Sequence, residues 1–223
     1  MKLYLKIFLQ KFFSALPNGE KLNYQLQKKI TKTLPISDSD FIKKTETAQS
    51  HLENYKKYSS SDTLPKNYYE FGAGYDLVIP ITMSLLGVSN IRCIDVRELA
   101  FPDLLNDTIK RFQKFKKDLN FNFSIPAEIP EFTYENFTSV LKDYFDIEYI
   151  APLDARDTRI ADSSIDFIVS NATMEHIPKE VLDCIMKECY RILKPDGIMS
   201  NVIDYRDHGS YFDDSVSVYN FLQ

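Results

Sequence analysis

The chain has 223 residues, of which 44% are hydrophobic, so it is long enough and apolar enough to bury one sizeable core. Its formal net charge is −5, whereas general nucleic-acid binders carry a basic surface, so we expect no nucleic-acid partner. Three cysteines without metal-ligand spacing are expected to be reduced and buried as small hydrophobic residues, which is typical of a cytoplasmic protein.

The first part of the chain, residues 1–64, contains no strand pattern and predicts a helical N-terminal extension. Within residues 1–16, apolar side chains recur at helical spacing, while lysines interrupt the run and rule out a signal peptide or a transmembrane segment. We expect this amphipathic helix to pack on its own domain, with peripheral contact to a membrane or a partner as the alternative. His51 is expected at the surface of this helical region.

From residue 65 onward, short apolar runs alternate with helical patterns, which is typical of βαβ units and a parallel sheet. The predicted strands are 68–71, 91–96, 148–152, 165–171 and 198–204, with helices near 77–86 and 178–193. A segment of about 101–147 carries two further helices and is longer than a simple crossover requires. We therefore predict an α/β fold over residues 65–223, in which helices flank a Rossmann-like, mostly parallel sheet.

The sequence EFGAG at residues 70–74 joins the first predicted strand of this sheet to the helix after it. Such a loop lets a ligand approach the backbone and directs helix N–H groups at it. Gly72 and Gly74 are not followed by the third glycine of a dinucleotide loop, because Leu77 stands at that position. Glu70 would repel a pyrophosphate but would accept hydrogen bonds from an ammonium group. The loop is therefore predicted to suit a nucleoside that carries an amino acid.

Polar residues also mark the ends of the next three predicted strands. Asp95 ends the second strand, 21 residues after Gly74, where an acidic side chain accepts hydrogen bonds from ribose hydroxyls. Asp154 and Ala155 follow the third strand, and Asn171 ends the fourth. Because ligands of open α/β sheets bind beyond the carboxyl ends of the strands, we expect these residues to converge with the glycine loop.

Together these segments resemble the class I S-adenosylmethionine-dependent methyltransferases, in particular the type-11-like methyltransferase domain. The resemblance covers about 68–204 and is carried by EFGAG, IDV, LDARDTRIADSSIDFIVSNATMEHI and ECYRILKPDGIM. It implies S-adenosyl-L-methionine as the cofactor and methyl transfer as the reaction.

The resemblance also implies roles for the matching residues. The glycine loop would wrap the methionine part of the cofactor, Glu70 would help to hold its amino group, and Asp95 would bind the ribose. Asp154 and Ala155 would contact the adenine, and Asn171 would line the methyl-transfer end. The residues implied to bind the cofactor are Glu70, Phe71, Gly72, Ala73, Gly74, Asp95, Val96, Asp154, Ala155 and Asn171.

The C-terminal part of the chain departs from the family pattern. The family's sheet has two more strands after the fifth, whereas only 19 residues follow Asp204. We therefore expect either a fragment of a longer chain or a trimmed fold without the family's C-terminal β-hairpin. The fifth strand would then be an exposed edge unless another element or subunit covers it, and an oligomer could form through this edge.

Three residues are candidates for the catalytic step. His176 follows the fourth strand and His208 follows the fifth, and a histidine at this end of the sheet is suited to take a proton from an oxygen or nitrogen nucleophile. Asp204, or Asp207 beside the histidine, would orient His208. The alternatives are that His176 only shapes the pocket and that His208 lies in a polar loop. Glu175 beside His176 lacks a spaced partner, so no metal site is predicted.

The sequence therefore predicts a cytoplasmic S-adenosylmethionine-dependent methyltransferase that modifies an oxygen or nitrogen atom of a small-molecule or glycan-like acceptor. A first alternative is a catalytically weak or inactive cofactor-binding or scaffold protein, because the hairpin is missing. A second alternative is an NAD-dependent oxidoreductase, which the absent third glycine and Glu70 disfavour.

Overall fold

The structure of the chain, a computed structural model, describes residues 19–206 and residue 217. The chain divides into two compact units, one of residues 35–202 and a smaller one that contains the described residues 19–34, 203–206 and 217. In the smaller unit, helix α1 (Gly19–Leu26) continues into a π-helical turn, Gln27–Thr31. The predicted amphipathic helix of residues 1–16 lies outside the described residues, and the predicted domain boundary at residues 64/65 stays a prediction.

The larger unit alternates helices and strands along the chain. In chain order, its elements are α2 (Asp38–Tyr58), β1 (Tyr68–Phe71), α3 (Val78–Leu85), β2 (Ile91–Ile94), α4 (Pro102–Lys114), α5 (Phe137–Phe145), β3 (Ile147–Ile150), β4 (Ile165–Asn171), a 3-10 turn (Met174–His176), α6 (Lys179–Ile192) and β5 (Leu193–Val202). The two predicted helices of the segment 101–147 are thus α4 and α5.

Over the described residues, the sheet has five parallel strands in the order β3-β2-β1-β4-β5. The predicted α/β fold with a Rossmann-like sheet is confirmed. The chain leaves β1 toward β2 on one side and later returns to β4 on the other, so the strand order reverses at β1. In open α/β sheets, this reversal opens a crevice at the carboxyl ends of the strands. β5 is an edge strand of the described sheet.

Alternate side chains of the strands enter two separate cores, one on each face of the sheet. Tyr68 of β1 is buried in a cluster formed with α2, α3, α4 and α5. Its neighbours Tyr69 and Phe71 are buried in a second cluster, which includes residues of α6. Because side chains alternate across a strand, the four residues of β1 contact the helices on both faces of the sheet.

Helix α2 contradicts the expectation that His51 lies at the surface. Its apolar residues at helical spacing, such as Phe41, Ala48 and Leu52, pack it against α3 and β5. His51 lies on the same face and is only 1% exposed, with its Nδ1 atom 2.8 Å from the hydroxyl of Ser200 on β5. This burial lowers the pKa of His51 to about 4, so the imidazole is neutral at physiological pH.

Two further expectations are corrected in the second half of the chain. Cys93 and Cys189 are buried as expected, but Cys184 is exposed on α6. β5 begins at Leu193 rather than at residue 198, because a register shift pairs Ile165 with Leu193 and Phe167 with Ile198. The turn-like sequence KPDG therefore lies within an irregular part of the strand and does not separate the helix from it.

Candidate cofactor site

One cavity of about 650 Å³ lies at the carboxyl ends of β1, β2 and β4 and beside the loop after β3. All ten residues predicted to bind a cofactor line it: Glu70, Phe71, Gly72, Ala73, Gly74, Asp95, Val96, Asp154, Ala155 and Asn171. The structure thus brings together residues that are separated by up to a hundred positions in the sequence.

The glycine loop after β1 is fixed by a close contact with the loop after β4. Gly72 has a φ angle of +75°, and a Cβ atom added there would lie 2.4 Å from Cγ2 of Thr173. The hydroxyl of Thr173 donates a hydrogen bond to the carbonyl of Gly72 at 3.2 Å. Gly74 has a φ angle of +79° but faces open space. Both positions favour glycine, and Gly72 also has no room for a side chain.

Leu77 occupies the position of the third glycine of a dinucleotide loop and still adopts the left-handed conformation, with a φ angle of +48°. Its side chain is fully buried in the core, which offsets the cost of this conformation. Asp76 before it accepts a hydrogen bond from the backbone N–H of Val78 at 3.3 Å, at the start of α3. The chain thus enters α3 through a left-handed residue, Leu77, whose apolar side chain is held in the core.

Glu70 lies beneath this loop and is 1% exposed. The hydroxyl of Tyr68 donates a hydrogen bond to its Oε2 atom at 2.7 Å. Burial raises the pKa of Glu70 to about 8, and the nearby charge of Asp95 adds to this effect, while the hydrogen bond from Tyr68 opposes it. Among residues 19–206 and 217, no lysine, arginine or histidine forms an ion pair with this buried carboxyl group.

Asp95 follows β2 and is 4% exposed. Its Oδ2 atom accepts hydrogen bonds from the backbone N–H of Gly74 at 3.2 Å and from the hydroxyl of Tyr149 at 3.1 Å. Burial raises the pKa of Asp95 to about 7, despite these two bonds. The Tyr149 hydroxyl itself accepts hydrogen bonds from Leu99 and Ala100, so it fixes both Asp95 and the loop after β2.

Asp154 follows β3, two strands away from the glycine loop in the sheet order, and it is less buried than Glu70 and Asp95. Its side chain is 39% exposed, and both of its carboxylate oxygens accept hydrogen bonds from the guanidinium group of Arg156 at 2.6–3.0 Å. The hydrogen bonds from Arg156 hold the pKa of Asp154 below its usual value. Asp154 is therefore ionised throughout the physiological range.

Lys44 of α2 also lines the cavity, and the sequence did not indicate it. Its Nζ atom lies 2.8 and 2.7 Å from the two carboxylate oxygens of Asp76. Tyr149 and Thr173 were missed as well. The alternation of β3 places Tyr149 on a buried face, and Thr173 follows a strand end, but no motif marks either residue or Lys44.

Of the three predicted catalytic residues, one lines the cavity, one belongs to the smaller unit and one lies outside the described residues. His176 lines the cavity from the 3-10 turn after β4. Asp204 belongs to the smaller unit, where its Oδ1 atom accepts a hydrogen bond from Nε of Arg206 at 2.9 Å. His208 lies outside the described residues.

Two features are absent from residues 19–206 and 217. No group of three or more His, Cys, Asp and Glu side chains is arranged to hold a metal ion there. None of the helices in the same residues combines the length and the apolar character that crossing a membrane requires.

Comparison with known proteins finds a family match for one segment of the larger unit. Residues 134–200, which run from just before α5 into β5, match the family described as "Methyltransferase domain". The glycine loop and β2 precede the matched segment. No curated protein matches the sequence.

Solved structures match a longer part of the chain, one of them with a TM-score above 0.5. The plantazolicin methyltransferase BpumL, solved in complex with SAH, is 13% identical, with a TM-score of 0.51 over 99% of this chain and 68% of that one. The PH0226 protein of Pyrococcus horikoshii OT3 is 16% identical, with a TM-score of 0.49 over 81% of this chain and 66% of that one.

The chain spans between 51% and 66% of the length of the first three solved structures that it matches. Identities of this size show the fold alone, and the methyltransferase-domain match covers residues 134–200. Residues 134–200 are therefore similar to a methyltransferase domain, and the chain shares its fold with the plantazolicin methyltransferase BpumL.

Proposed function

We propose that the protein is a methyltransferase that binds S-adenosyl-L-methionine in the cavity at the glycine loop. The observation that carries this proposal is the pair of buried acids, Glu70 and Asp95, next to a two-glycine loop on one wall of the cavity. Such a wall repels a pyrophosphate and favours a ligand that brings positive charge and hydroxyl groups.

The residues of the cavity fit this cofactor. Its ammonium group would pair with Glu70, whose carboxylate is buried and forms no ion pair with the described lysines, arginines and histidines. A carboxylate accepts about four hydrogen bonds, so Asp95 retains capacity for two ribose hydroxyls beside its bonds from Gly74 and Tyr149. The volume of about 650 Å³ is in the range of small-molecule sites.

The base of the cofactor would lie on the other side of the cavity. Asp154 would accept from the adenine amino group, and Ala155 would donate its backbone N–H. Apolar side chains provide a surface for a flat ring there, namely Leu153, Ile177, Val181 and Ile185. Phe71, Ala73 and Val96 complete the proposed contacts.

The bound cofactor supplies an electrophilic methyl group on a sulfonium, and the chain must hold the acceptor in line with it. We propose that Asn171 borders the reacting end and that His176 takes the proton of an oxygen or nitrogen nucleophile. His208, with Asp204 as its orienting group, is the second candidate for this role. The acceptor is a small molecule, with a glycan-like compound as one possibility to test, and cytoplasmic location and assembly through β5 stay predictions.

Calorimetry of the full chain with S-adenosylhomocysteine and, separately, with NAD tests the proposal. We expect the first ligand to bind and NAD not to bind. We also expect affinity for S-adenosylhomocysteine to increase as the pH is raised from 6 to about 8, because its ammonium group pairs with ionised Glu70. Tight binding of NAD alone would overturn the proposal in favour of an oxidoreductase.

Turnover separates the enzyme from the scaffold alternative. Incubation with methyl-labelled cofactor and pools of small-molecule and glycan acceptors should give labelled product, and His176→Ala should reduce its rate without reducing cofactor affinity. Binding of S-adenosylhomocysteine without any transfer across these pools would favour a cofactor-binding protein that is not a catalyst.

A further inference from the structure

We propose that Lys44, on a helix that precedes the sheet, binds the carboxylate of the amino-acid part of the cofactor. The inference rests on the proposed function, because it assigns one end of the same ligand. It also assigns to α2 a direct role in the site that no feature of the sequence indicates.

Contacts within the protein fix the position of Lys44. Its Nζ atom bonds both carboxylate oxygens of Asp76, whose side chain is 6% exposed. Asp76 is itself held at the start of α3 by the N–H of Val78, and its carbonyl accepts a hydrogen bond from the hydroxyl of Thr108 at 2.9 Å. The ammonium group of Lys44 is thus placed beside the glycine loop before any ligand binds.

The charges at this end of the cavity match an α-amino acid. Such a group carries an ammonium and a carboxylate on a single carbon atom, and the cavity offers the carboxylate of Glu70 and the ammonium of Lys44. The two protein charges are close enough that Lys44 contributes to lowering the pKa of Glu70, against the larger effect of burial. A lysine ammonium has three donors, so the bonds to Asp76 leave capacity for a ligand carboxylate.

The partial exposure of Lys44 also favours a role beyond a tether. Its side chain is 33% exposed and borders the cavity. Asp76 is buried, so the ion pair holds the ammonium group of Lys44 at the edge of the cavity instead of leaving it in bulk solvent. A ligand carboxylate would gain a preplaced partner there, since Asp76 already restricts the lysine.

The first experiment changes the ligand and leaves the protein intact. Calorimetry of the wild-type chain compares S-adenosylhomocysteine with its decarboxylated analogue, which keeps the amine. We expect the analogue to bind at least tenfold more weakly, in line with the loss of a charge-assisted hydrogen bond. Equal affinities would overturn the role of Lys44. No binding of either compound would instead overturn the proposed function.

The second experiment assigns the effect to Lys44. Lys44→Met should weaken binding of S-adenosylhomocysteine at least tenfold and leave binding of the decarboxylated analogue unchanged. Lys43→Met, a change of the exposed neighbouring lysine, is the matched control and should affect neither ligand. A Lys44→Met variant that loses affinity for both ligands equally, or for neither, would show that Lys44 only tethers α2 to the loop.

Discussion

The two sides of the cavity present carboxylates in opposite electrostatic states. On the glycine-loop side, Glu70 and Asp95 are buried, and burial raises their pKa values to about 8 and about 7. On the other side, Asp154 is half-exposed and bonded to Arg156, which lowers its pKa. All three residues lie at or near the carboxyl end of a parallel strand.

This difference shows that position on the sheet does not determine how an acid acts. A buried acid without a strong cationic partner is destabilising when ionised and gains most from a cationic ligand. An exposed acid with an arginine partner is already satisfied and gains less from one more hydrogen bond. Selectivity for a cationic nucleoside should therefore arise mainly on the glycine-loop side.

The first substitution tests how rigidly the glycine-loop side is built. Gly72→Ala should destabilise the protein by about 3 kcal/mol, because it combines a left-handed φ angle with a clash against Thr173. Gly74→Ala is the matched control, since it has a similar φ angle but open space, and should cost about 1–2 kcal/mol. Chemical denaturation measures both.

A second substitution checks the origin of the Gly72 effect. In a Thr173→Ala background, Gly72→Ala should cost less, because the two closest atoms, Cγ2 and Oγ1, are removed. Equal costs for Gly72→Ala and Gly74→Ala in the wild-type background would indicate that the contact between the two loops is not tight.

The next effect tests the charge state of Glu70 through stability. Its pKa is raised from 4.5 to about 8, so between these values the folded state holds a proton that the unfolded state has released. Stability should therefore fall as the pH rises through this window. Glu70→Gln removes this contribution. The free energy of unfolding of the variant, relative to that of the wild type, should therefore increase by up to about 1.4 kcal/mol per pH unit until about pH 8.

Thermal or chemical denaturation of both proteins without ligand, from pH 5 to 9, provides the measurement. Gln accepts the hydrogen bond from Tyr68 as Glu does, so packing is largely preserved. A difference between the two proteins that does not change with pH would mean that Glu70 is ionised in the folded protein, and the contrast with Asp154 would be lost.

The smallest effect compares the two sides directly through binding. Asp95→Ala should weaken binding of S-adenosylhomocysteine at least tenfold, because two ribose hydrogen bonds in a buried setting are lost (about 1–3 kcal/mol). Asp154→Ala should weaken it only about threefold, because one partly exposed bond is lost. Calorimetry at pH 8 gives both values, and a larger loss for Asp154→Ala would reverse the proposed ranking.

The sequence by itself determined the sheet and the positions of the predicted cofactor residues along it. Apolar runs, two glycines and polar strand ends are local signals, and β4 has the bounds that the pattern predicts. Because the carboxyl ends of parallel strands meet at one edge, the expectation that Glu70, Asp95, Asp154 and Asn171 converge on one site followed from strand order alone.

Only the tertiary structure decided the surroundings of these residues. The packing of α2 on the sheet buried His51 and placed Lys44 at the cavity, although neither has a motif. The contacts of Asp95 with Tyr149 and of Gly72 with Thr173 join residues distant in sequence. Burial and ion pairing depend on such non-local contacts, so a sequence that marks three acids at strand ends does not reveal which are buried and which is already paired.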